Sequence, residues 1–314
     1  MNLNEIKNVV IAGAGIMGAS MAQSFAEYGY SVIIYDLSAQ ALERAKEMIS
    51  VAQYSLVQSG SLREETSENI LANISFMTDK ACFTDCDIVV ESIIENLGIK
   101  KQFYSEISQL VRSNTILATN TSALPISEIA QSVEYPERFV GMHWFNPPHI
   151  IPLIEVIRGN QTSEEIADIV YDLALQINKK PVHILKDAKG FVANRLQFAL
   201  LREALHILDE GIASKEDIDQ VVKFALGFRY AAFGVFEIVD FGGLDTFKSI
   251  SEFLNPDLCD RHTVSETLVR LVSEGSYGVK SERGFYDYSN GKDKEMLQKR
   301  DIEFIKLYQC LFLN

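Results

Sequence analysis

Cationic side chains are scarce in this sequence of 314 residues. Lys and Arg number 29 against 43 Asp and Glu, which gives a net charge of −14. A surface of that charge repels a polyanion unless cations cluster locally, and no basic patch stands out. We therefore predict no nucleic-acid partner, and we expect a phosphate-bearing ligand to be held by local donors.

Cysteine is also rare, and its four positions show neither the paired spacing of a metal site nor a disulfide framework. No apolar run approaches the roughly 20 residues of a membrane span, and the N-terminus lacks the layout of a signal peptide. We predict a soluble, cytoplasmic protein with no metal site and no membrane partner. Cys82 and Cys86 adjoin a buried-strand pattern and are interpreted as ordinary thiols in a reducing compartment.

Short apolar runs alternate with helical patterns through the first half of the chain. Predicted strands cover Asn8–Ala12, Ser31–Asp36, Asp87–Glu91, Thr115–Thr119 and Phe139–His143, and helices such as Ile16–Tyr28 and Ala39–Gln58 lie between them. This alternation predicts an α/β fold with a doubly wound parallel sheet. After Lys186 the pattern becomes helical, over Phe191–Glu210 and Ser214–Leu226. We therefore predict two domains, an α/β domain over residues 1–186 and an all-helical domain over residues 187–314.

A glycine-rich turn follows the first predicted strand. Gly13, Gly15 and Gly18 form the pattern G-x-G-x-x-G, which opens the first helix and encloses Ile16 and Met17. The three glycines suit a tight turn, close approach of the backbone to a pyrophosphate, and close packing of helix on strand. The helix N-terminus offers free N–H groups to phosphates. In this context we favour dinucleotide binding, in a Rossmann-type domain, over a purely structural turn.

Asp36 ends the second predicted strand and bears on the choice of nucleotide. A carboxylate at this position accepts hydrogen bonds from ribose hydroxyls and repels a 2′-phosphate. The residues that follow it supply no arginine, so the pattern favours NAD over NADP. The alternative, Asp36 as a helix N-cap, is weaker because Ser38 is better placed for that role.

Hydride removal from an alcohol requires a base for the hydroxyl proton, and five histidines are candidates. His143 ends a strand, where ligands of a doubly wound sheet collect. Glu155 lies in a second extended run, LIEVI, after a proline-rich turn. If the two runs lie side by side, Glu155 would orient the imidazole and stabilise its charged form. Spacing alone leaves a catalytic pair and a structural salt bridge equally open.

Six segments together resemble the L-3-hydroxyacyl-CoA dehydrogenase family, which includes bacterial 3-hydroxybutyryl-CoA dehydrogenases. They are VVIAGAGIMGASMAQSFAEYGYSVIIYD, ESIIENLGIKKQFYSEI, LATNTSALPISEIA, RFVGMHWFNPP with LIEVIRG, KDAKGFVANRL and RGFYDY. They occur in order over most of the chain. The resemblance implies an N-terminal NAD domain, a helical C-terminal domain that makes a homodimer, and a role in fatty acid metabolism.

The resemblance also implies roles for individual residues. His143 matches the family's catalytic histidine, Glu155 its carboxylate partner, and Ser122 and Asn194 the residues that bind the reacting oxygen. His143 would take the 3-hydroxyl proton while hydride leaves C3 for the nicotinamide. Further matches near the cofactor are Gly13, Gly15, Ile16, Met17, Gly18, Asp36, Glu95, Lys100 and Asn120.

Structural explanations exist for several of these residues. Asn120–Ser122 follow a strand and would be able to cap the helix that starts near Pro125. Lys100 and Lys101 would alone form a solvated helix face. Asn194 is predicted four residues inside a helix, where an Asn is unfavourable unless its amide has a partner.

The sequence departs from the family pattern in three places. Acyl-CoA relatives carry lysines near Gln58–Arg63, where this chain has only Arg63, and this weakens the grip on a CoA phosphate. The segment NPPHIIPLIE is more similar to branches that oxidise free hydroxy acids. Val235 replaces a usual proline within FALGFRYAAFGVFEIVDFGGLD, a stretch interpreted as core and dimer surface. The charged segment Gly291–Arg300 is interpreted as a solvated surface stretch.

Three functions therefore compete. The leading expectation is reversible NAD-dependent oxidation of a short-chain L-3-hydroxyacyl-CoA to the 3-ketoacyl-CoA. The second is the same chemistry on a non-CoA 3-hydroxy acid, as in enzymes resembling L-gulonate 3-dehydrogenase or L-carnitine dehydrogenase. The third is a non-catalytic NAD-binding protein similar to the related lens crystallins, which is disfavoured because the catalytic set is intact.

Overall fold

A computed structural model describes residues 2–58, 60 and 62–312 of the chain. It divides into two compact units, Met1–Asn194 and Arg195–Asn314. The predicted domain boundary lies between residues 186 and 187. This position is in the connecting segment just before the helix that spans the division between the two units. Within the predicted arm segment Gln58–Arg63, Ser59 and Ser61 lie outside the described residues.

The first unit is built on one sheet, which has eight strands among the described residues, in the order β3-β2-β1-β4-β5-β6-β7-β8. The strands are β1 (Asn8–Ala12), β2 (Ser31–Tyr35), β3 (Ile74–Met77), β4 (Ile88–Glu91), β5 (Ile116–Thr119), β6 (Phe139–Trp144), β7 (Leu153–Ile157) and β8 (Lys180–Ile184). β1 lies between β2 and β4, so the strand order reverses at this point. In a doubly wound sheet the ligand crevice lies at the carboxyl ends of the strands beside such a reversal.

Helices cover both faces of the sheet. They are α1 (Ile16–Glu27), α2 (Ala39–Gln58), α3 (Glu64–Ala72), α4 (Leu97–Ile107), α5 (Ile126–Ala130) and α6 (Glu164–Gln176). Val9 and Ile11 of β1 belong to one buried cluster, whereas Val10 and Ala12 belong to the other. Successive strand residues point to opposite faces, and a strand covered on both sides is therefore apolar throughout. These features confirm the predicted Rossmann-type α/β fold.

The second unit is helical. It contains most of α7 (Ala193–Asp209), followed by α8 (Lys215–Val221), a π-helical segment (Val222–Gly227), α9 (Phe228–Ala232), α10 (Val235–Gly242), α11 (Leu244–Leu254), α12 (Glu266–Ser273) and α13 (Lys292–Phe312). Val235 occupies the first helical position of α10, where proline is tolerated best, so its replacement of proline leaves the helix intact. No helix among the described residues combines the length and apolarity needed to cross a bilayer.

Three expectations require correction. The sheet is not parallel throughout, because β7 pairs antiparallel with β6 and β8 pairs parallel with β7. The strand β3 was not predicted, because its sequence ISFM is short and half exposed. The interpretation of FALGFRYAAFGVFEIVDFGGLD as core is wrong within one chain, since none of its residues is buried. The charged segment Gly291–Arg300 is exposed over most of its length, as predicted, and α13 begins within it.

Candidate functional site

The glycine turn after β1 requires glycine at two positions for steric reasons. Gly13 has φ +112°, and a Cβ there would lie 2.5 Å from the Ser92 carbonyl oxygen. A Cβ on Gly18 would lie 1.9 Å from the Gly13 carbonyl oxygen, so α1 approaches the turn closely only because that atom is missing. A Cβ on Gly15 would meet no atom within 4 Å. Gly15 therefore faces open space at the N-terminus of α1, as a backbone that receives a phosphate must.

Asp36 lies half-buried beside this turn. Its Oδ2 accepts a hydrogen bond from the Ala14 amide at 2.9 Å, and its Oδ1 accepts one from the Ser38 amide at 2.9 Å. Ser38 Oγ in turn accepts from the Ala41 amide, so Ser38 caps α2 as predicted. Asp36 is fixed at the turn rather than used as a helix cap.

A cavity of about 820 Å³ adjoins the glycine turn. Gly15, Ile16 and Asp36 line one side, and Arg44 and Glu47 of α2 line the other. A backbone open at Gly15, a helix N-terminus and a carboxylate within one cavity fit the pyrophosphate and ribose of a dinucleotide. Ile16 is exposed here, whereas Met17 packs partly against the core.

His143 and Glu155 face each other across the antiparallel pair β6 and β7. Both side chains are buried, and His143 Nδ1 lies 2.8 Å from Glu155 Oε2. The rings of Phe145 and Phe191 adjoin the imidazole, with centroids 4.4 and 5.6 Å away. A carboxylate at Nδ1 places the proton on that nitrogen, which leaves the lone pair of Nε2 for a ligand.

The second oxygen of Glu155 is also engaged. Oε1 accepts hydrogen bonds from the amides of Val192 and Ala193 at 3.0 and 2.9 Å, where α7 begins. Burial raises the pKa of Glu155, but the hydrogen bonds from His143 and from these two amides outweigh it and hold the pKa below the ordinary value. The carboxylate is therefore ionised and able to stabilise a charged imidazole.

Ser122 and Asn194 lie together at this edge of the sheet. Asn194 Nδ2 donates to the Ser122 carbonyl oxygen at 2.7 Å. Asn194 is in the first turn of α7 and not deep within the helix, so the argument that an Asn is unfavourable there does not apply. The Ser122 hydroxyl has no intramolecular partner within the described part of the chain, and it is exposed.

The residues before Pro125 do not cap α5. The Ser127 amide in the first turn of α5 donates instead to Asp187 Oδ2 at 2.7 Å. Asn120 joins two strand ends, because its Oδ1 accepts from the Trp144 amide at 2.7 Å. The helix-cap explanation of Asn120–Ser122 is therefore wrong.

Glu95 and Lys100 also lie at this edge, and Lys100 is not on a solvated face. Glu95 Oε1 accepts from the Thr121 hydroxyl at 2.5 Å and from the Ser122 amide at 2.9 Å. Lys100 is buried, and its Nζ lies 3.3 Å from Glu95 Oε2. Burial raises the pKa of Glu95, but Thr121, Lys100 and Ser122 together lower it below its ordinary value.

Sequence reasoning missed two residues of this region. Glu91, at the end of β4, is fully buried and paired with Lys100. Its signal in the sequence is a charged residue that closes the apolar run IVV. Arg44 of α2 also lines the cavity, although the residues that directly follow Asp36 in the sequence supply no arginine.

The remaining candidates lie in other surroundings. His183 stacks on Tyr171 and lies 3.6 Å from Asp168, exposed on β8. His149 Nδ1 contacts Ser20 Oγ at 2.9 Å. Burial raises the pKa of the Cys82 thiol to about 11 and that of Cys86 to about 12, so both stay protonated and unreactive.

Family models account for most of the chain. The NAD binding domain of 3-hydroxyacyl-CoA dehydrogenase matches residues 8–188, and the C-terminal domain of 3-hydroxyacyl-CoA dehydrogenase matches residues 190–288. Among curated relatives, a probable 3-hydroxybutyryl-CoA dehydrogenase of Deinococcus radiodurans is 40% identical over 279 residues, 88% of this chain and 99% of its own.

A second relative matches almost from end to end. It is 5-formyl-3-hydroxy-2-methylpyridine 4-carboxylate 5-dehydrogenase of Mesorhizobium japonicum, 37% identical over 98% of both chains. A solved structure of this kind of enzyme, described as an NAD⁺-dependent dismutase, superposes with a TM-score of 0.90 and also covers 98% of both chains. The structure of (S)-3-hydroxybutyryl-CoA dehydrogenase from Ralstonia eutropha is 33% identical, covers 91% of this chain and all of its own, and has a TM-score of 0.76. The chain therefore belongs to the 3-hydroxyacyl-CoA dehydrogenase family and is an NAD-dependent oxidoreductase.

Proposed function

We propose that this chain catalyses the reversible oxidation of the 3-hydroxyl of a short-chain L-3-hydroxyacyl-CoA, with His143 as the general base. The observation that carries the proposal is the pairing of His143 Nδ1 with Glu155 Oε2 at 2.8 Å, in a buried pocket of aromatic rings. Only an imidazole held in this tautomer presents Nε2 as a base toward a substrate hydroxyl.

In the proposed reaction His143 Nε2 takes the hydroxyl proton, and the C3–O bond becomes a carbonyl as hydride leaves C3. Bound NAD⁺ supplies the hydride acceptor. Glu155 stabilises the imidazolium that forms, because its carboxylate is already ionised and fixed by two backbone amides. The Ser122 hydroxyl and the Asn194 amide would donate hydrogen bonds to the substrate oxygen.

A compact substrate without CoA is the second candidate, and a specific observation favours it. The family model ends at residue 288, before α13, whereas the pyridine carboxylate dehydrogenase matches 98% of the chain. Arg63 is also the only cation in the segment where acyl-CoA relatives carry lysines. Both features separate the chain from its acyl-CoA relatives and favour a compact substrate.

A substrate panel separates the two candidates. Oxidation of NADH is followed by absorbance with acetoacetyl-CoA, free acetoacetate and a pyridine or benzene carboxylate that carries an aldehyde. We expect kcat/KM for acetoacetyl-CoA to exceed that for free acetoacetate by about a hundredfold, since the CoA moiety adds binding energy remote from the reacting carbon. Comparable values for the two would overturn the CoA assignment, and turnover of the aromatic aldehyde alone would establish the compact substrate. NADH binding without turnover of any of the three would favour the non-catalytic alternative.

We also propose that the chain forms a homodimer through its second unit. Neither buried cluster contains a described residue beyond Phe191, so the second unit contributes nothing to either core. Large apolar side chains are instead exposed on α9, α10 and α11, among them Phe228, Phe236, Phe241, Leu244 and Phe253. Exposed apolar surface on this scale is typical of a protein interface. A cytoplasmic location agrees with the buried, protonated thiols of Cys82 and Cys86.

A further inference from the structure

A buried ion pair stands at the carboxyl end of β4. Glu91 is 0% exposed and Lys100 is 1% exposed. Lys100 Nζ donates to Glu91 Oε1 and lies 3.3 Å from Glu95 Oε2, so one ammonium serves two carboxylates. Burial of such groups is costly unless each is well paired, and the arrangement therefore depends on all three.

Glu91 is held from several directions. The Thr119 hydroxyl of β5 donates to Oε2 at 2.7 Å, and the Ile93 amide donates to Oε1 at 2.8 Å. The Tyr104 hydroxyl of α4 lies 3.4 Å from Oε2. Burial, together with the charge of Glu91, raises the pKa of Tyr104, which keeps its proton as a donor. The Glu91 carboxylate is thus held in one position, and Lys100 is paired with it.

The contacts continue outward from Lys100 to the proposed reaction centre. Glu95, whose side chain is 43% exposed, accepts from the Thr121 hydroxyl and the Ser122 amide. Ser122 carries the hydroxyl proposed to contact the reacting oxygen, and its carbonyl oxygen accepts from Asn194. An unbroken series of contacts therefore joins Glu91, Lys100, Glu95 and Ser122.

We propose that Glu91 is a positioning residue for this site, an inference that rests on the proposed function. By holding the Lys100 ammonium, Glu91 prevents it from pairing with Glu95 alone. Without Glu91, the ammonium would close on its remaining carboxylate and draw Glu95 away from the Ser122 amide. The loop that carries Ser122 would then lose its anchor at the proposed reaction centre.

The opposite end of β4 supplies a matched control. Asp87 is also buried, and its Oδ2 accepts from the amides of Lys7 and Asn8, both at 2.8 Å. Its Oδ1 pairs with Arg112 at 2.5 Å. Asp87 has the same chemistry as Glu91, but it lies at the edge of the sheet away from the glycine turn. Asp87→Asn therefore reports the structural cost of losing a buried carboxylate from this strand.

The experiment compares the full-length parent, Glu91→Gln and Asp87→Asn. Thermal midpoint, NADH affinity by fluorescence, and kcat and KM are measured with whichever substrate of the panel the parent turns over. We expect both variants to lose stability, but only Glu91→Gln to weaken NADH binding by about fivefold and to lower kcat by about tenfold, as the loss of supporting contacts does. If Glu91→Gln does not fold, Thr119→Val removes one hydrogen bond to Glu91 and should lower kcat by about threefold.

Each outcome either supports or overturns the assignment of Glu91 as a positioning residue. Glu91→Gln with the NADH affinity and kcat of Asp87→Asn would overturn the assignment, as would an unchanged kcat in Thr119→Val when that variant is used. A parent that binds no NADH would overturn the proposed function together with this inference. A parent that binds NADH but turns over no substrate would leave the decision to the NADH affinities of the two variants.

Discussion

The two units differ in what they bury. The first unit buries charged and polar side chains at the edge of its sheet and gives them partners, as with His143 and Glu155 or Lys100 and Glu91. The second unit exposes large apolar side chains, with Phe236 82% and Phe253 86% accessible. Buried polar groups are costly without partners, and exposed apolar surface is costly without a cover. We infer that one chain completes the polar site but not the apolar surface.

The largest effect should come from the buried imidazole of the first unit. His143→Gln keeps a polar side chain but removes the base, and turnover should fall by about two to four orders of magnitude. NADH affinity, measured by fluorescence, should change little. His183→Gln, in the same sheet but exposed, is the control and should retain parental turnover. Turnover of His143→Gln within tenfold of the parent would show that another group is the base.

The proposed interface on the apolar surface of the second unit is tested by introducing charge there. Phe236→Glu with Phe253→Glu should shift the mass found by light scattering from twice 35.2 kDa to the mass of one chain. Leu110→Glu places the same charge on an exposed apolar position of the first unit and should leave the mass unchanged. A parent that is monomeric, or a double variant with parental mass, would contradict the proposed interface.

A smaller effect is expected where the first unit meets the cofactor. Asp36→Ala removes the carboxylate that repels a 2′-phosphate, while Arg44 still lines the same cavity. The preference for NAD over NADP should therefore fall by about tenfold, which corresponds to about 1.4 kcal/mol. Asp36→Ala combined with Arg44→Ala should recover little NADP affinity. An unchanged preference in the single variant would show that the ribose is recognised elsewhere.

The last effect changes stability and not the proposed chemistry, and it concerns a buried cation of the first unit. Burial lowers the pKa of Lys179 to about 8, although Glu27 opposes the shift. Between pH 8 and 10.5 the unfolded chain holds a proton that the folded chain has lost, so stability should rise with pH by at most about 1.4 kcal/mol per unit. Thermal melts of Lys179→Met should lack this component, whereas Lys180→Met, on the exposed neighbour, should keep it. Identical slopes in both variants would contradict the shift.

Local sequence was sufficient for much of the first unit. The glycine turn is encoded within a few residues because Gly13 and Gly18 meet steric limits that no other residue satisfies. The proximity of His143 and Glu155 was also predictable, since a proline-rich turn joins two extended runs. Burial of Lys100 was not predictable, because it depends on pairing with Glu91 at the end of β4. A helical pattern with two lysines is indistinguishable from a solvated face until that strand is known.

The second unit could not be interpreted in the same way. Its apolar residues recur with helical spacing, and such a pattern predicts a buried face without saying which chain buries it. The interpretation as core therefore failed, whereas the helical character of the unit and its first helices were predicted. Asn194 was misjudged for a related reason: the start of α7 is set by the Val192 and Ala193 amides held by Glu155, and no local capping residue marks it.

Glu155 holds two parts of the site at once, and this determines how the site responds to acid. Protonation of this carboxylate would weaken the hydrogen bond of one oxygen to the imidazole. It would also weaken the bond of the other oxygen to the beginning of α7, which carries Asn194. Acid should therefore abolish the proposed proton abstraction and the proposed binding of the substrate oxygen in one step, rather than weaken them in turn. Aspartate carries the same two oxygens on a shorter side chain, so it would not reach both the imidazole and the start of α7. This position therefore admits little variation, even though most of its neighbours in the strand need only be apolar.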